Sequence, residues 1–276
     1  MKKINFNIKL NFKIGIFTLS SLFFLYLLYL SIPSLYDSGR VQKALYNNLV
    51  EEFGLNLSLS SDITYRILPK PHFHIKDSKI FRDKDKALEE IGQIKEVKLF
   101  ISQKNFFKKE NINIKQMVLS RGNFFFNREN SDYIIDLLKK DFSKKKIILK
   151  KSKLFFNDKS KTIIFIYTID KLNFFKNEKE NKQELKLKGE IFKIPVKFNW
   201  EKNITNKNTI SNFKADKLDI EFVNKGTFLN DSYSYENNLK ILTNSFRTNY
   251  KIFEDSIHLE SKKSLIKNTP IKYSGK

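Results

Sequence analysis

Two histidines, His72 and His74, stand at i and i+2 in HFHIK. On a strand that spacing turns both imidazoles to one face, where they could fill two positions around a metal ion. A metal site needs a third ligand, and none is evident nearby. The pair therefore reads as surface or satisfied histidines, and no metal is expected. The chain has three histidines and no cysteine. The absence of cysteine excludes a disulfide framework, a thiol nucleophile, a Cys zinc site and an iron–sulfur cluster. No G-x-S-x-G, H-E-x-x-H or glycine-rich phosphate loop occurs. Adjacent Glu51-Glu52 and Glu89-Glu90 point apart and read as solvated. The Lys144–Lys146 run reads as a solvated loop; the sharper alternative is contact with anionic headgroups, at about 1 kcal/mol per lysine. Phe106-Phe107, beside Lys108-Lys109, reads as core packing rather than membrane dipping. No catalytic constellation emerges, so neither an enzyme nor a cofactor is expected.

The formal net charge is +22, from 52 basic and 30 acidic residues, with lysine outnumbering arginine 46 to 6 and only three alanines in 276 residues. AT-rich codons favour Lys, Asn, Ile and Phe over Ala and Arg. Genome composition thus accounts for much of the basic excess, and a nucleic-acid binder would more typically use arginine for bidentate contacts. No nucleic-acid partner is expected. Aromatics at 14% supply enough apolar mass for a core.

Ile14 to Ile32 carries nineteen residues without a charge. As a helix this is roughly 28 Å, close to the bilayer hydrocarbon thickness. Lys2, Lys3, Lys9 and Lys13 precede it with no acidic residue among them. The positive-inside rule puts residues 1–13 in the cytoplasm and everything beyond Pro33 outside. The run exceeds a usual signal-peptide core and no A-x-A-like site follows it, which predicts an uncleaved anchor over 14–32. A juxtamembrane segment, 33–54, follows. Asp37 or Ser38 can cap a helix there, Val41, Ala44, Leu45, Leu49 and Phe53 form its apolar stripe, and Gly54 stands at its C-cap.

Beyond Gly54 the period changes to two. Leu55, Leu57 and Leu59 alternate with polar residues, as do Val97, Leu99 and Ile101; Ile112 and Ile114; Phe124 and Phe126; Ile147 and Leu149; Leu185 and Leu187; and Ile194, Val196, Phe198 and Trp200. Leu218, Ile220 and Phe222, Leu239 and Ile241, and Ile257 and Leu259 continue the pattern. These are strands with one apolar face, about a dozen of them. Arg82–Glu90 and Asn177–Gln183 read as loops. A second short helix is predicted over 131–141, with Ile134, Leu137 and Leu138 as its stripe. A sandwich, a closed barrel or one long curled sheet would each bury such faces, and periodicity does not choose among them.

Three stretches together resemble the AsmA family of bacterial envelope proteins: SGRVQKALYNNLVEEFG after the anchor, DITYRILPKPHFHIKDSKIF with its prolines Pro69 and Pro71, and IGQIKEVKLFISQKNFFKKENINIKQMVLSRGNFFFNREN. The resemblance covers about half the chain, to near Asp141. It departs from relatives at Arg121-Gly122, where a proline often stands. It implies a mainly β fold with an N-terminal transmembrane helix and two short amphipathic helices, the sheet being a long curled antiparallel β-groove. Residues 55–145 would form the AsmA-like N-terminal β region and 146–276 its continuation. It further implies a single-pass bacterial inner-membrane protein with a periplasmic body, carrying phospholipid or another envelope lipid in support of outer-membrane assembly. The alternative is an envelope scaffold that contacts other envelope proteins, affecting outer-membrane protein assembly or membrane targeting without carrying lipid. The expected groove lining is Leu57, Leu59, Val97, Leu99, Ile101, Ile112, Ile114, Phe124 and Phe126. Alternation still runs at Ile271–Lys276, which predicts an open sheet edge near 255–273, belonging either to a truncated product or to a chain that adds strands from a partner.

Overall fold

The structure is a computed structural model that describes residues 5–59, 62–84, 87–104, 106, 112–127, 130, 145–158, 160, 162–229, 232–253 and 256–276. The helix predicted over 131–141, like residue 144 of the lysine run and Phe107 to Lys109, lies outside the described residues.

Helix α1 spans Asn5–Ser31, apolar on all sides from Ile14 onward. It is long and apolar enough to cross a membrane. It begins nine residues before the expected anchor, because nothing in NFNIKLNFK breaks a helix. A short 3₁₀ turn, Ile32–Leu35, leads to α2, Ser38–Phe53. The Asp37 carboxylate accepts from the Arg40 N–H at 2.9 Å. At the other end Gly54 takes the left-handed conformation at φ 61°, which a helix C-cap favours and glycine supplies without strain.

Seventeen strands follow among the described residues, forming one open sheet. The short β1 (Asn56–Ser58) and β2 (Ile63–Arg66) both pair with β3 (His72–Lys84). The order then follows the sequence through β4 (Ala87–Ile101), β5 (Ile114–Phe126), β6 (Lys146–Asn157), β7 (Ile163–Asn177), β8 (Lys182–Ile191) and β9 (Ile194–Asn203). It continues through β10 (Thr209–Ala215), β11 (Ile220–Leu229), β12 (Ser232–Ile241) and β13 (Asn244–Ile252). Short strands β14 (Ile257–Ser261), β15 (Ser264–Ile266), β16 (Thr269–Ile271) and β17 (Ser274–Gly275) finish it. No described pairing joins the last strands to the first, so the sheet does not close into a barrel.

Three expectations are corrected. The sheet is not wholly antiparallel: β5 and β6 run parallel. A parallel pair needs a crossover of a dozen or more residues, and 127–145 supplies the length. Arg82–Glu90 is not a loop, because β3 continues to Lys84 and β4 begins at Ala87, and the two pair up to those residues. Cross-strand ion pairs hold that pairing, Arg82 with Glu89 at 2.5 Å and Lys79 with Glu90 at 2.7 Å, so this glutamate pair is engaged rather than merely solvated. Leu218 belongs to no strand; it closes a 3₁₀ turn, Asp216–Leu218.

The main core lies between α2 and one face of β1, β3, β4 and β5. Leu45, Leu49 and Phe53 of α2 meet Leu57, Phe73, Ile75, Val97, Leu99, Ile114 and Met117 there. A smaller cluster, around Tyr167, Ile169, Val196 and Ala215, continues the same face further along the sheet. Lys145 was expected in a solvated loop. It instead pairs with Glu52 and lies over the Phe53 ring, 5.7 Å from its centroid, and burial lowers its pKa.

Candidate lipid-binding face

The face that carries α2 can be followed from strand to strand through the register. Directly opposed residues share a face. One row reads Ile63, Ile75, Val97, Leu119, Leu149, Leu172, Leu187, Phe198, Phe213, Phe222, Leu239 and Phe246, from β2 to β13. All twelve residues are apolar. At about 4.8 Å per strand the row is roughly 53 Å long.

The row changes character along its length. Ile75, Val97 and Leu119 are at most 2% exposed, sealed in the core beneath α2. From Leu149 to Phe246 every member is only half-buried. No described helix or second sheet covers that part.

Neighbouring rows complete the surface. On one side Ile169, Gly189 and Val196 follow one another in register, as do Ala215, Ile220 and Ile241, and Val196 and Ala215 share one buried cluster. Small residues are required here. A β-carbon on Gly189 would lie 2.0 Å from the Thr168 carbonyl oxygen. On the other side Phe174, Leu185 and Trp200 are succeeded by Ser211, Asn224, Asn237 and Thr248, so the row turns polar at β10. Beyond it Tyr235 and Tyr250 stack at 4.8 Å, and the Tyr250 hydroxyl donates to Asn224. Burial raises both phenols, and it pushes Tyr167 up to about 12. The face is thus an apolar stripe with a polar and aromatic bank toward the C-terminal strands.

The opposite face of the same strands is charged. Lys186, Lys188, Lys197, Lys240 and Arg247 are exposed on it. Ion pairs bind parts of it together: Lys186 with Glu184 at 2.5 Å and Lys214 with Glu221 at 2.9 Å. A cleft of about 790 Å³ toward the C-terminal strands is lined by both polar and apolar residues, among them Lys225, Glu236, Lys251, His258, Tyr250 and Leu259.

The nine residues expected to line a groove fall together, at the α2 end. Leu57, Val97, Leu99, Ile101, Ile112, Ile114 and Phe124 are 0–7% exposed and belong to the main core. Leu59 and Phe126 are half-buried against it, and Leu59 borders a hollow of about 360 Å³ between α2 and β1. Seven of the nine are therefore packed under the helix rather than open to a ligand. The open members of the same face run from Leu149 to Phe246 along the row. Phe198, Phe222 and Leu239 show in the alternation, but Phe213 and Phe246 stand alone among polar neighbours and only the register finds them.

His72 and His74 are buried, at 1% and 4% exposure. His72 Nδ1 lies 2.7 Å from the Lys70 carbonyl oxygen and its ring stacks on Phe100 at 5.0 Å. Burial lowers both imidazole pKa values. Among the described residues no group of three His, Asp or Glu side chains could hold a metal. Phe106 is buried and stacks on Tyr29 at 5.3 Å. No protein-family model matches the chain, and no curated protein matches it significantly.

Proposed function

We propose that this chain is an AsmA-like protein of the bacterial envelope, anchored in the inner membrane by α1, with a cytoplasmic N-terminus and a periplasmic body that carries or conducts lipid in support of outer-membrane assembly. The observation that carries the reading is the apolar row from Leu149 to Phe246, half-buried and uncovered on a sheet whose other face is charged. An amphipathic sheet of this kind leaves its apolar face to be covered by something. An acyl chain gains roughly 0.8 kcal/mol for each CH₂ it buries, so the row can hold a lipid without any catalytic group. The hydroxyls and amides of Ser211, Asn224, Asn237 and Thr248 suit the ester and headgroup end of a phospholipid.

The scaffold reading draws on a different observation, the sealed core beneath α2, which offers a stable body with no ligand space. Mass spectrometry of lipids that copurify with the full chain in mild detergent separates the two. Phospholipid should accompany the wild type and fall to background in Phe213→Asp and Leu239→Asp variants that keep their circular dichroism. A lipid-free wild type, or unchanged lipid in folded variants, would favour the scaffold.

A further inference from the structure

The end of the sheet next to α1 stands unusually deep relative to the helix. Side chains of α1 are exposed from Ile14 to Tyr26 and again at Leu28, among them Phe17 at 76% and Leu19 at 70%. That stretch is about 22 Å long, short of the roughly 30 Å of a hydrocarbon core. Twenty residues counted from Ile14 end at Pro33. The last turn and a half of the span is already packed on the protein: Leu30 is 5% exposed and Pro33 is buried.

The contacts run downward along the helix. The Tyr65 hydroxyl, within β2, donates to the Leu30 carbonyl at 2.6 Å. Gln103, beyond the end of β4, takes hydrogen bonds from Tyr29 at 2.5 Å through its carbonyl and from Tyr26 at 3.2 Å through its side chain. The Tyr36 hydroxyl donates to the Phe106 carbonyl. Passing from β2 to Gln103 therefore means passing from Leu30 back to Tyr26, toward the membrane interior, while Phe106 turns back to Tyr36 beyond the span. The turn joining β2 to β3 lies at the same end, because the Ile101 N–H donates to the Pro71 carbonyl at 3.1 Å. At its apex Leu68 is 78% exposed, with exposed Lys70 beside it and Lys104 on the neighbouring tip.

We propose that the Leu68–Pro71 turn and the neighbouring Gln103 and Lys104 form a foot inserted into the leaflet through which α1 leaves the bilayer, with Leu68 as its apolar wedge. The proposal rests on α1 spanning the membrane. Tyrosines gather at the bilayer interface because the ring is apolar and the hydroxyl polar, and two of them, Tyr26 and Tyr29, tie α1 to Gln103 here. Lys70 and Lys104 flank the wedge at headgroup level, where lysine meets anionic phosphate. The occupant is the lipid surface itself: a foot continuous with a membrane helix has no other neighbour of that chemistry at that depth.

The cysteine-free chain makes the test direct. Single variants Leu68→Cys, Leu22→Cys and Leu242→Cys are spin-labelled in the full chain and reconstituted into phosphatidylethanolamine–phosphatidylglycerol vesicles. Leu22 reports the span, and Leu242 is an exposed tip at the far end of the sheet. Collision with oxygen relative to a water-soluble nickel chelate should be several-fold higher at 68 than at 242, and highest at 22. A label at 68 as open to nickel as that at 242, with 22 shielded, overturns the foot and leaves the span standing. A label at 22 open to nickel overturns both.

Discussion

Residues 55–126 and residues 163–252 share one sheet, one face and one apolar row, yet the first region is closed and the second open. The strands do not differ in pattern: Val97, Leu99 and Ile101 alternate just as Ile194, Val196 and Phe198 do. The difference is α2. Its stripe of Val41, Leu45, Leu49 and Phe53 lies on the first strands and takes Val97 and Leu99 to 0% exposure. No described element does the same for Phe213 or Leu239. Strand alternation records that a face is apolar; only the rest of the chain decides whether it becomes a core or a surface.

The largest effect that would sharpen this contrast comes from truncating a leucine of the same face in each region. Leu99→Ala should cost about 2–5 kcal/mol, the usual range for a sealed leucine. Leu239→Ala, half-buried with room to relax, should cost about 1 kcal/mol. Urea unfolding of the two variants in detergent measures the difference, and equal costs would mean that the second region is as closed as the first.

Crowding is the next lever, applied to the open region. Gly189→Ala should destabilise by about 1–3 kcal/mol, since the new methyl meets the Thr168 carbonyl and the ring of Tyr167. The same unfolding assay reads it. A neutral result would show that β7 and β8 can part there.

Weakening the lid is subtler. Asp37→Ala removes the N-cap of α2 and should cost about 1 kcal/mol. The loss should appear as faster hydrogen exchange in α2 and in β1 and β3 beneath it, with β9 to β12 unchanged. Uniform acceleration would join the two regions into one cooperative unit.

Acid should act on the first region as well, through His72 and His74 of β3. Burial lowers both from the ordinary 6.5. The folded state then binds fewer protons than the unfolded one. Their contribution to stability is complete above about pH 6.5 and is lost as pH falls from there through the lowered folded values. A thermal melt at pH 5 against pH 7.5 should show a lower midpoint in the wild type and a smaller drop in His74→Gln.

Much of this was legible in the residues. Uncharged Ile14–Ile32 announced the long helix, Asp37 and Gly54 bracketed α2, and alternation from Leu185 to Trp200 gave β8 and β9. The phase of the strands was not legible. Asp77, Arg121 and Lys151 sit in β3, β5 and β6 at φ 50°, 56° and 49°. At each the inward positions step by three rather than two, from Ile75 to Ser78, Leu119 to Gly122 and half-buried Leu149 to Ser152. A local irregularity of this kind re-aims every later side chain. Nor could period two reveal the parallel pairing of β5 with β6, or that α2 would settle on the residues that looked most like a groove lining. Hydrophobic strand positions read the same whether a helix or a ligand covers them.

The central claim is that lipid lies on one face of the open strands. A photoreactive phenylalanine analogue placed at Phe222, in the apolar row, and at Glu221, its neighbour on the charged face, tests this within living cells fed radiolabelled phosphate. The account predicts a phosphate-labelled adduct at 222 and none at 221. Equal labelling at the two positions, or none at 222 in a folded and membrane-anchored protein, would contradict it.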